Sequence, residues 1–234
     1  MALTSLAAAA LGWQPTRRRL AATGGGGTPA LLAALGLRTP GLLPAAILPL
    51  ALTAVLFAGP LLQLAADRRR WQPRLALPLP VLLRNLVVAP LVEEFVFRSC
   101  MLSYLLACGI SPAAAVAFSP LLFAASHLHH LYDLTRFQGH SLHSALAAVA
   151  FQFSFTALFG WLAAWLFVRS RHLAGVALPH AFCNLMGPPL PPPRGTPGRS
   201  KILAAYGLGI AGFWLLLRPL SEPRLFANEL LQAG

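Results

Sequence analysis

Acid is what this chain lacks most. Of its 234 residues only 6 are Asp or Glu, against 18 that are Lys or Arg, and charged residues of both signs make up 10%. Soluble domains carry roughly a quarter charged residues, and this chain is 57% hydrophobic, so an ordinary water-soluble domain is excluded. Cysteine is scarce as well. Cys100, Cys108 and Cys183 are odd in number and lack CxxC spacing, which excludes a disulfide framework and a thiolate metal site and points to buried free thiols. No internal repeat is present.

A net charge of +12 would suggest nucleic acid in a soluble protein. Here the basic residues gather in the connections: Arg68, Arg69, Arg70 and Arg74, then Arg169 and Arg171, then Arg194, Arg199 and Lys201. Such clusters mark cytoplasmic loops and contacts with anionic headgroups. The expected partner is membrane lipid, with no nucleic acid, and the Arg68 to Arg74 loop is expected in the cytosol.

What the chain has in abundance is apolar sequence near the length of about 20 residues that crosses a bilayer as helix. The longest runs are Leu42 to Ala66, Leu142 to Val168 and the shorter Ile202 to Leu217. Val81 to Leu106, Pro112 to Ser126 and Leu173 to Gly187 are apolar but interrupted. The expected fold is all-α: a polytopic transmembrane helical bundle of about six apolar segments with an intramembrane polar site. Pro44, Pro49 and Pro60 predict kinks in the first span. A polar connection is expected after His130, and the proline-rich stretch 188–200 reads as a stiff surface loop. Residues 1–40, with Arg17 to Arg19 and Gly24 to Gly27, read as a flexible low-complexity region ahead of a membrane domain at 41–234.

Against that background Glu93 and Glu94 stand out, side by side in apolar sequence with Arg98 four residues on. Ionisable groups at membrane depth cost several kcal/mol, roughly, and mark functional sites. On an α-helix Glu94 and Arg98 share a face, acid first, the better order for an ion pair. Glu93 points about 100° away, which leaves it as the candidate proton acceptor with Glu94 and Arg98 as scaffold. A purely structural cluster is the alternative.

His127 ends an apolar run one turn beyond Phe123. His129 and His130 follow closely, but the spacing predicts that they face different directions, and the HExxH pattern is absent. His180 and Asn184 are four apart, on one helix face, and two stacked donors of this kind suit a developing oxyanion. Interhelical hydrogen bonding is the competing role. For Asn85, Gln152, Ser154 and Thr156 a packing role is expected.

The three signatures Glu93-Glu94-x-x-x-Arg98, Phe123-x-x-x-His127 and His180-x-x-x-Asn184, in that order in a polytopic chain, resemble the CAAX prenyl protease 2 family of Ras-converting endopeptidases. Arg84-Asn85, His129-His130 and Phe151-Gln152-Phe153-Ser154 also resemble its eukaryotic members. The resemblance covers roughly residues 35 to 227. It implies a hydrolase of the endoplasmic reticulum membrane that removes the last three residues of prenylated CAAX proteins, Ras-type small GTPases among them, from the cytosolic side and without a metal cofactor. Carried over, Glu93 and His127 would activate water, His180 and Asn184 would form the oxyanion hole, and Glu94 and Arg98 would hold the geometry. Family members have additional N-terminal membrane helices, so the resemblance implies a short or N-terminally truncated form. Two other readings stand beside it: a zinc-dependent membrane peptidase using His127, His129 or His130, and a non-catalytic membrane scaffold or binding protein.

Overall fold

The computed structural model describes residues 28–66 and 76–228. The arginine and glycine runs at 17–19 and 24–27 and the basic loop at 68–74 lie outside the described residues. Among the described residues every regular element is helical. In chain order these are α1 (Thr28–Ala34), α2 (Leu42–Leu56), α3 (Ala58–Ala66), α4 (Leu79–Leu83), a π segment (Arg84–Val88), α5 (Ala89–Glu94), a second π segment (Phe95–Leu102) and α6 (Ser103–Ala107). Then come α7 (Pro112–Ala125), α8 (His130–Arg136), α9 (Leu142–Ser170), α10 (Ala174–Met186), α11 (Arg199–Leu220) and a 3₁₀ turn (Pro223–Phe226).

Two helices, α9 with 29 residues and α11 with 22, are long and apolar enough to cross a membrane. The count rises to three if α2 and α3, bent by 70° at their junction, form one broken span. Sequence placed kinks in this run, and the bend falls where proline chemistry puts it. Pro60 has no N–H to give the carbonyl of Leu56, and its ring crowds that carbonyl, so the helix stops at Leu56 and restarts at Ala58. The other expected segments take less regular forms. Residues 79–107 are helical throughout but pass twice into π winding, whereas α7 and α10 are short, with 14 and 13 residues. Helix α11 extends beyond the Ile202 to Leu217 run at both ends. The connection after His130 is not a plain loop, because α8 forms there with Asp133 in its first turn and Arg136 in its last, each placed to favour the helix dipole. Cys183 is buried as expected, while Cys100 and Cys108 are exposed free thiols.

The helices gather into two compact units, the described parts of Met1–Leu37 with Phe95–Val168 and of Arg38–Glu94 with Arg169–Gly234. In the first unit, residues 28–34 form α1 rather than the flexible chain expected there, and the Ser103 hydroxyl donates to the Ala34 carbonyl at 2.7 Å. The Trp161 indole N–H donates to the Ala117 carbonyl at 2.9 Å, joining α9 to α7. Large apolar side chains such as Phe118, Leu122 and Leu158 stay exposed, as a lipid-facing surface requires.

In the second unit α10 packs on α2, α5 and the first π segment, while α11 packs on α2 and α3. Small residues permit the close approach. A Cβ on Gly209 would lie 2.6 Å from the Val55 carbonyl oxygen, and one on Gly59 would strike the Tyr206 ring. Arg38 closes one end of the unit. Its guanidinium donates to the carbonyls of Ser170 at 2.9 Å, Arg171 at 3.1 Å, Phe226 at 2.6 Å and Ala227 at 2.8 Å. Beside it His172 is buried, with Nε2 2.8 Å from the Pro40 carbonyl. Burial pushes this imidazole below its ordinary range, and the Arg38 charge pushes the same way, against the opposing pull of the Pro40 carbonyl.

Two outcomes follow from this packing. Gly209→Val drives a side chain into backbone, so it is expected to cost about 1–3 kcal/mol and lower the thermal midpoint in detergent, whereas Gly207→Ala, with open space around it, leaves the midpoint unchanged. His172 is held neutral in the fold. Below about pH 6.5 the unfolded chain takes up a proton there that the folded chain resists, so stability falls as pH drops. Thermal melts at about pH 7.5 and 5.5 are expected to differ less for His172→Asn than for the unaltered chain.

Candidate active site

The candidate site grows from the helical run that carries the two glutamates. Helix α5 ends at Glu94 and the chain continues in π winding. Extra residues in a turn are rare and cluster at functional sites, because they re-aim side chains. Glu94 is fully buried, while the Glu93 side chain is 33% exposed. The two neighbours therefore occupy different environments, as the helical period predicts.

Helix α10 brings His180 to both of them. Its Nδ1 lies 2.8 Å from Glu94 Oε1 and its Nε2 lies 3.8 Å from Glu93 Oε2. The first is a buried, charge-assisted hydrogen bond. The second is too long for one and within ion-pair range of a partly exposed carboxylate. A buried carboxylate at one ring nitrogen fixes the orientation of the ring and assigns the other nitrogen to the open side. His180 is 6% exposed, so its position is set by packing as well as by the bond. Phe182, on the same helix, meets Phe57 edge to face at 5.5 Å.

Asn184 follows one turn after His180 on α10 and is exposed. Its Nδ2 donates to the backbone carbonyl of Asn85 at 2.9 Å. Asn85 belongs to the first π segment, where the wide winding alters the usual carbonyl pairing. One amide hydrogen of Asn184 is thereby directed to that carbonyl, and the other is left for a second acceptor. The contribution of Asn85 is through its backbone, whereas its side-chain oxygen takes the Arg84 Nε–H at 3.0 Å. Sequence singled out Asn85 as a packing residue. Nothing in the pattern revealed that its carbonyl orients Asn184.

The remaining expected residues, Arg98 and His127, lie in the first unit, and there Phe123 connects them. The Arg98 guanidinium stands 4.3 Å over the Phe123 ring and 5.9 Å from the Phe159 ring, and its Nη2 donates to the Gly160 carbonyl at 3.5 Å. A cation desolvated over an aromatic face is worth about 2 kcal/mol. Phe123 meets the His127 ring edge to face at 5.2 Å. His127 Nδ1 lies 3.0 Å from the Phe123 carbonyl and 3.3 Å from Ser126 Oγ. Assigned as donor to that carbonyl, Nδ1 leaves Nε2 with a lone pair. The Phe123-x-x-x-His127 spacing thus has a physical basis: ring and carbonyl of the same residue hold the imidazole. Arg98 belongs to this framework through Phe123, a role its spacing from Glu94 did not reveal.

The expectation that His129 and His130 face different directions is overturned. Their ring centroids are 4.2 Å apart, and donor atoms from His129, His130 and Asp133 all lie within 4.8 Å of one another. Two histidines sit at the turn into α8 and the carboxylate comes from its first turn, an arrangement that the loop reading could not supply.

The Glu94–His180 bond is testable by stability alone. Glu94→Ala leaves a buried imidazole nitrogen without its acceptor, so a loss of about 1–3 kcal/mol is expected. Glu94→Gln keeps an oxygen in place and should recover part of it. Thermal denaturation in detergent distinguishes the two, and equal midpoints for Glu94→Ala and the unaltered chain would remove the bond from the account.

Residues 75–186 match the family described as Type II CAAX prenyl endopeptidase Rce1-like. The chain is 44% identical to the human CAAX prenyl protease 2 over 85% of its own length and 64% of the human protein. It is 38% identical to the rat protein of that name over 85% of this chain and 61% of the relative. With the Arabidopsis thaliana CAAX prenyl protease 2 it shares 33% identity over 85% of this chain and 70% of the relative. The chain thus spans somewhat under two thirds of the human and rat proteins. No solved structure matches it. Carrying all three sequence signatures and aligning over most of its length with these proteins, the chain belongs to the CAAX prenyl protease 2 family.

Proposed function

We propose that this chain is an intramembrane endopeptidase that releases the C-terminal tripeptide from prenylated CAAX proteins, Ras-type small GTPases among them. The observation that carries the reading is the His180 ring placed between Glu94 at 2.8 Å and Glu93 at 3.8 Å. A carboxylate that is accessible and not tied into a hydrogen bond at the ring is placed to take a proton from water. A ring fixed from behind is placed to present a donor.

In this reading Glu93 is the general base. The family resemblance assigns His127, with Nε2 carrying a lone pair, to the activation of water as well. Attack on the scissile carbonyl places negative charge on its oxygen, and His180 Nε2–H with the second amide hydrogen of Asn184 receives that charge. For Nε2 to donate, the ring is either an imidazolium paired with the Glu94 carboxylate, or neutral with Nδ1 accepting a proton held on Glu94. Donors positioned in advance and away from water stabilise a developing oxyanion far better than the same groups in solution. Glu94 and Arg98 are positioning residues, the first through His180 and the second through Phe123. No step calls for a metal.

Residues 41–234 carry all of these side chains and are taken to act as one membrane domain of about six apolar segments. The prenyl group is hydrocarbon and partitions into the bilayer at about 0.8 kcal/mol per CH₂. A lipidated cysteine therefore arrives laterally, and a site at membrane depth meets it without extraction. The setting is the endoplasmic reticulum membrane, with the peptide entering from the cytosolic side.

The decisive assay uses a farnesylated CAAX peptide and membranes carrying the chain. Glu93→Gln is expected to lower tripeptide release by roughly 10²–10⁴-fold, the range of a lost general base, with membrane insertion intact. Asn184→Ala is expected to cost roughly 10²–10³-fold in kcat with little change in KM. Undiminished release by Glu93→Gln would end this assignment. Activity that vanishes with a chelator and returns with zinc would favour metal-dependent hydrolysis instead.

A further inference from the structure

The turn between α7 and α8 holds a second group of chemistry-bearing side chains that the proposed reaction does not use. His129, His130 and Asp133 each offer one donor atom, and the three atoms lie within 4.8 Å of one another. They follow the sequence His-His-x-x-Asp, so His129 and Asp133 are one helical turn apart and His130 lies three residues before the acid. Two imidazole nitrogens with one carboxylate oxygen form a donor set that binds divalent transition metals, and it leaves coordination positions for water.

A second, independent feature prepares the site. His129 Nδ1 lies 2.7 Å from the backbone carbonyl of Ser126. A metal-binding histidine characteristically donates its other ring N–H to a carbonyl or carboxylate, which fixes the tautomer and aims the free nitrogen at the ion. Here the bond to Ser126 assigns the proton to Nδ1 and leaves Nε2 of His129 as a ligand. His130 Nδ1 lies 3.6 Å from Asp133 Oδ2. These two donors therefore already face each other. The side chains are exposed or half-buried, so an ion can enter from solvent.

We infer that His129, His130 and Asp133 form a site for a divalent transition-metal ion of the zinc and cobalt class, a structural clamp on the turn from α7 to α8. The ion ties the turn that follows α7, which carries Ser126 and His127, to the first turn of α8. The clamp uses none of the residues assigned to hydrolysis as a ligand, although the His130 ring lies 6.1 Å from that of His127. It does not rest on the peptidase reading, because its primary measurement is metal binding.

The test uses the full chain purified in detergent and Co²⁺ as the probe, followed by its visible absorption, then Zn²⁺ in competition. One equivalent of Co²⁺ is expected to bind and to be displaced by Zn²⁺, and Zn²⁺ is expected to raise the thermal midpoint, since a ligand of the folded state stabilises it. Asp133→Asn and His130→Ala are each expected to weaken binding by roughly tenfold or more and to abolish the midpoint rise, with both variants as well folded as the parent in the absence of metal. Failure to bind Co²⁺, or equal binding in parent and variants, overturns the site. If Asp133→Asn loses tripeptide release together with the metal, the ion is catalytic and the clamp assignment falls. If the parent binds metal but releases no tripeptide, the clamp stands and the proposed function fails.

Discussion

A buried carboxylate held against a buried imidazole is the constraint on which the candidate site depends. Glu94 is fully buried in a chain with 6 acidic residues, and an isolated carboxylate in that position would be costly. His180 Nδ1, at 2.8 Å, meets part of that cost. The pair also locates two backbone elements relative to each other, α5 through Glu94 and α10 through His180. Once both are fixed, the neighbouring residue on α5 and the residue one turn along α10 have little freedom. Glu93 and Asn184 inherit their positions from a bond that neither of them makes.

The packing behind this bond follows from residues that weaken regular helices. Pro60 ends α2 and turns the chain through 70°. Pro49 sits inside α2 and Pro179 inside α10, each removing one backbone bond. The carbonyl that Pro49 would have bonded belongs to Ala45, and a Cβ on Gly175 of α10 would come within 3.3 Å of its oxygen. Glycine at that point lets α10 approach α2 closely. The π segments act in the same way on the run from residue 79 to 107, shifting the register before Glu93 and after Glu94. Helices of ideal form would be more stable singly. These imperfect ones bring His180 and Asn85 to the places the site needs.

Much of this was legible in the sequence, for identifiable reasons. Charge is so rare here that Glu93, Glu94 and Arg98 announce themselves, and spacings of four residues place His180 with Asn184 and Phe123 with His127 on common faces. The long apolar runs gave α9 and α11. Sequence could not show what depends on departures from the α period. One such departure is the change of winding between Glu94 and Arg98. Spacing could not show that His180 takes Glu94, because the two are 86 residues apart. Nor could it see a contribution made by a backbone carbonyl, as at Asn85, since every residue has one. The short helix α8 was missed for the opposite reason: its polar composition resembles a loop, and only its formation brings Asp133 to His129 and His130.

Exposure across the second unit divides the four polar groups into two kinds. Glu94 and His180 are buried, whereas Glu93 is partly exposed and Asn184 is exposed. A group buried on every side, as Glu94 is, cannot meet water, but it holds its geometry well; His180, 6% exposed, keeps one ring edge toward Glu93. An accessible group can meet water, but its position must be imposed from outside. Coupling one kind to the other answers a difficulty of any polar site in apolar surroundings, where polar side chains tend to satisfy each other. Here one face of His180 is committed to Glu94 and one amide hydrogen of Asn184 to Asn85. Each commitment uses only part of a side chain that has more than one polar position. The residues best suited to such a site are those with two distinct polar ends, which is why histidine and asparagine, rather than serine or lysine, stand one turn apart on α10.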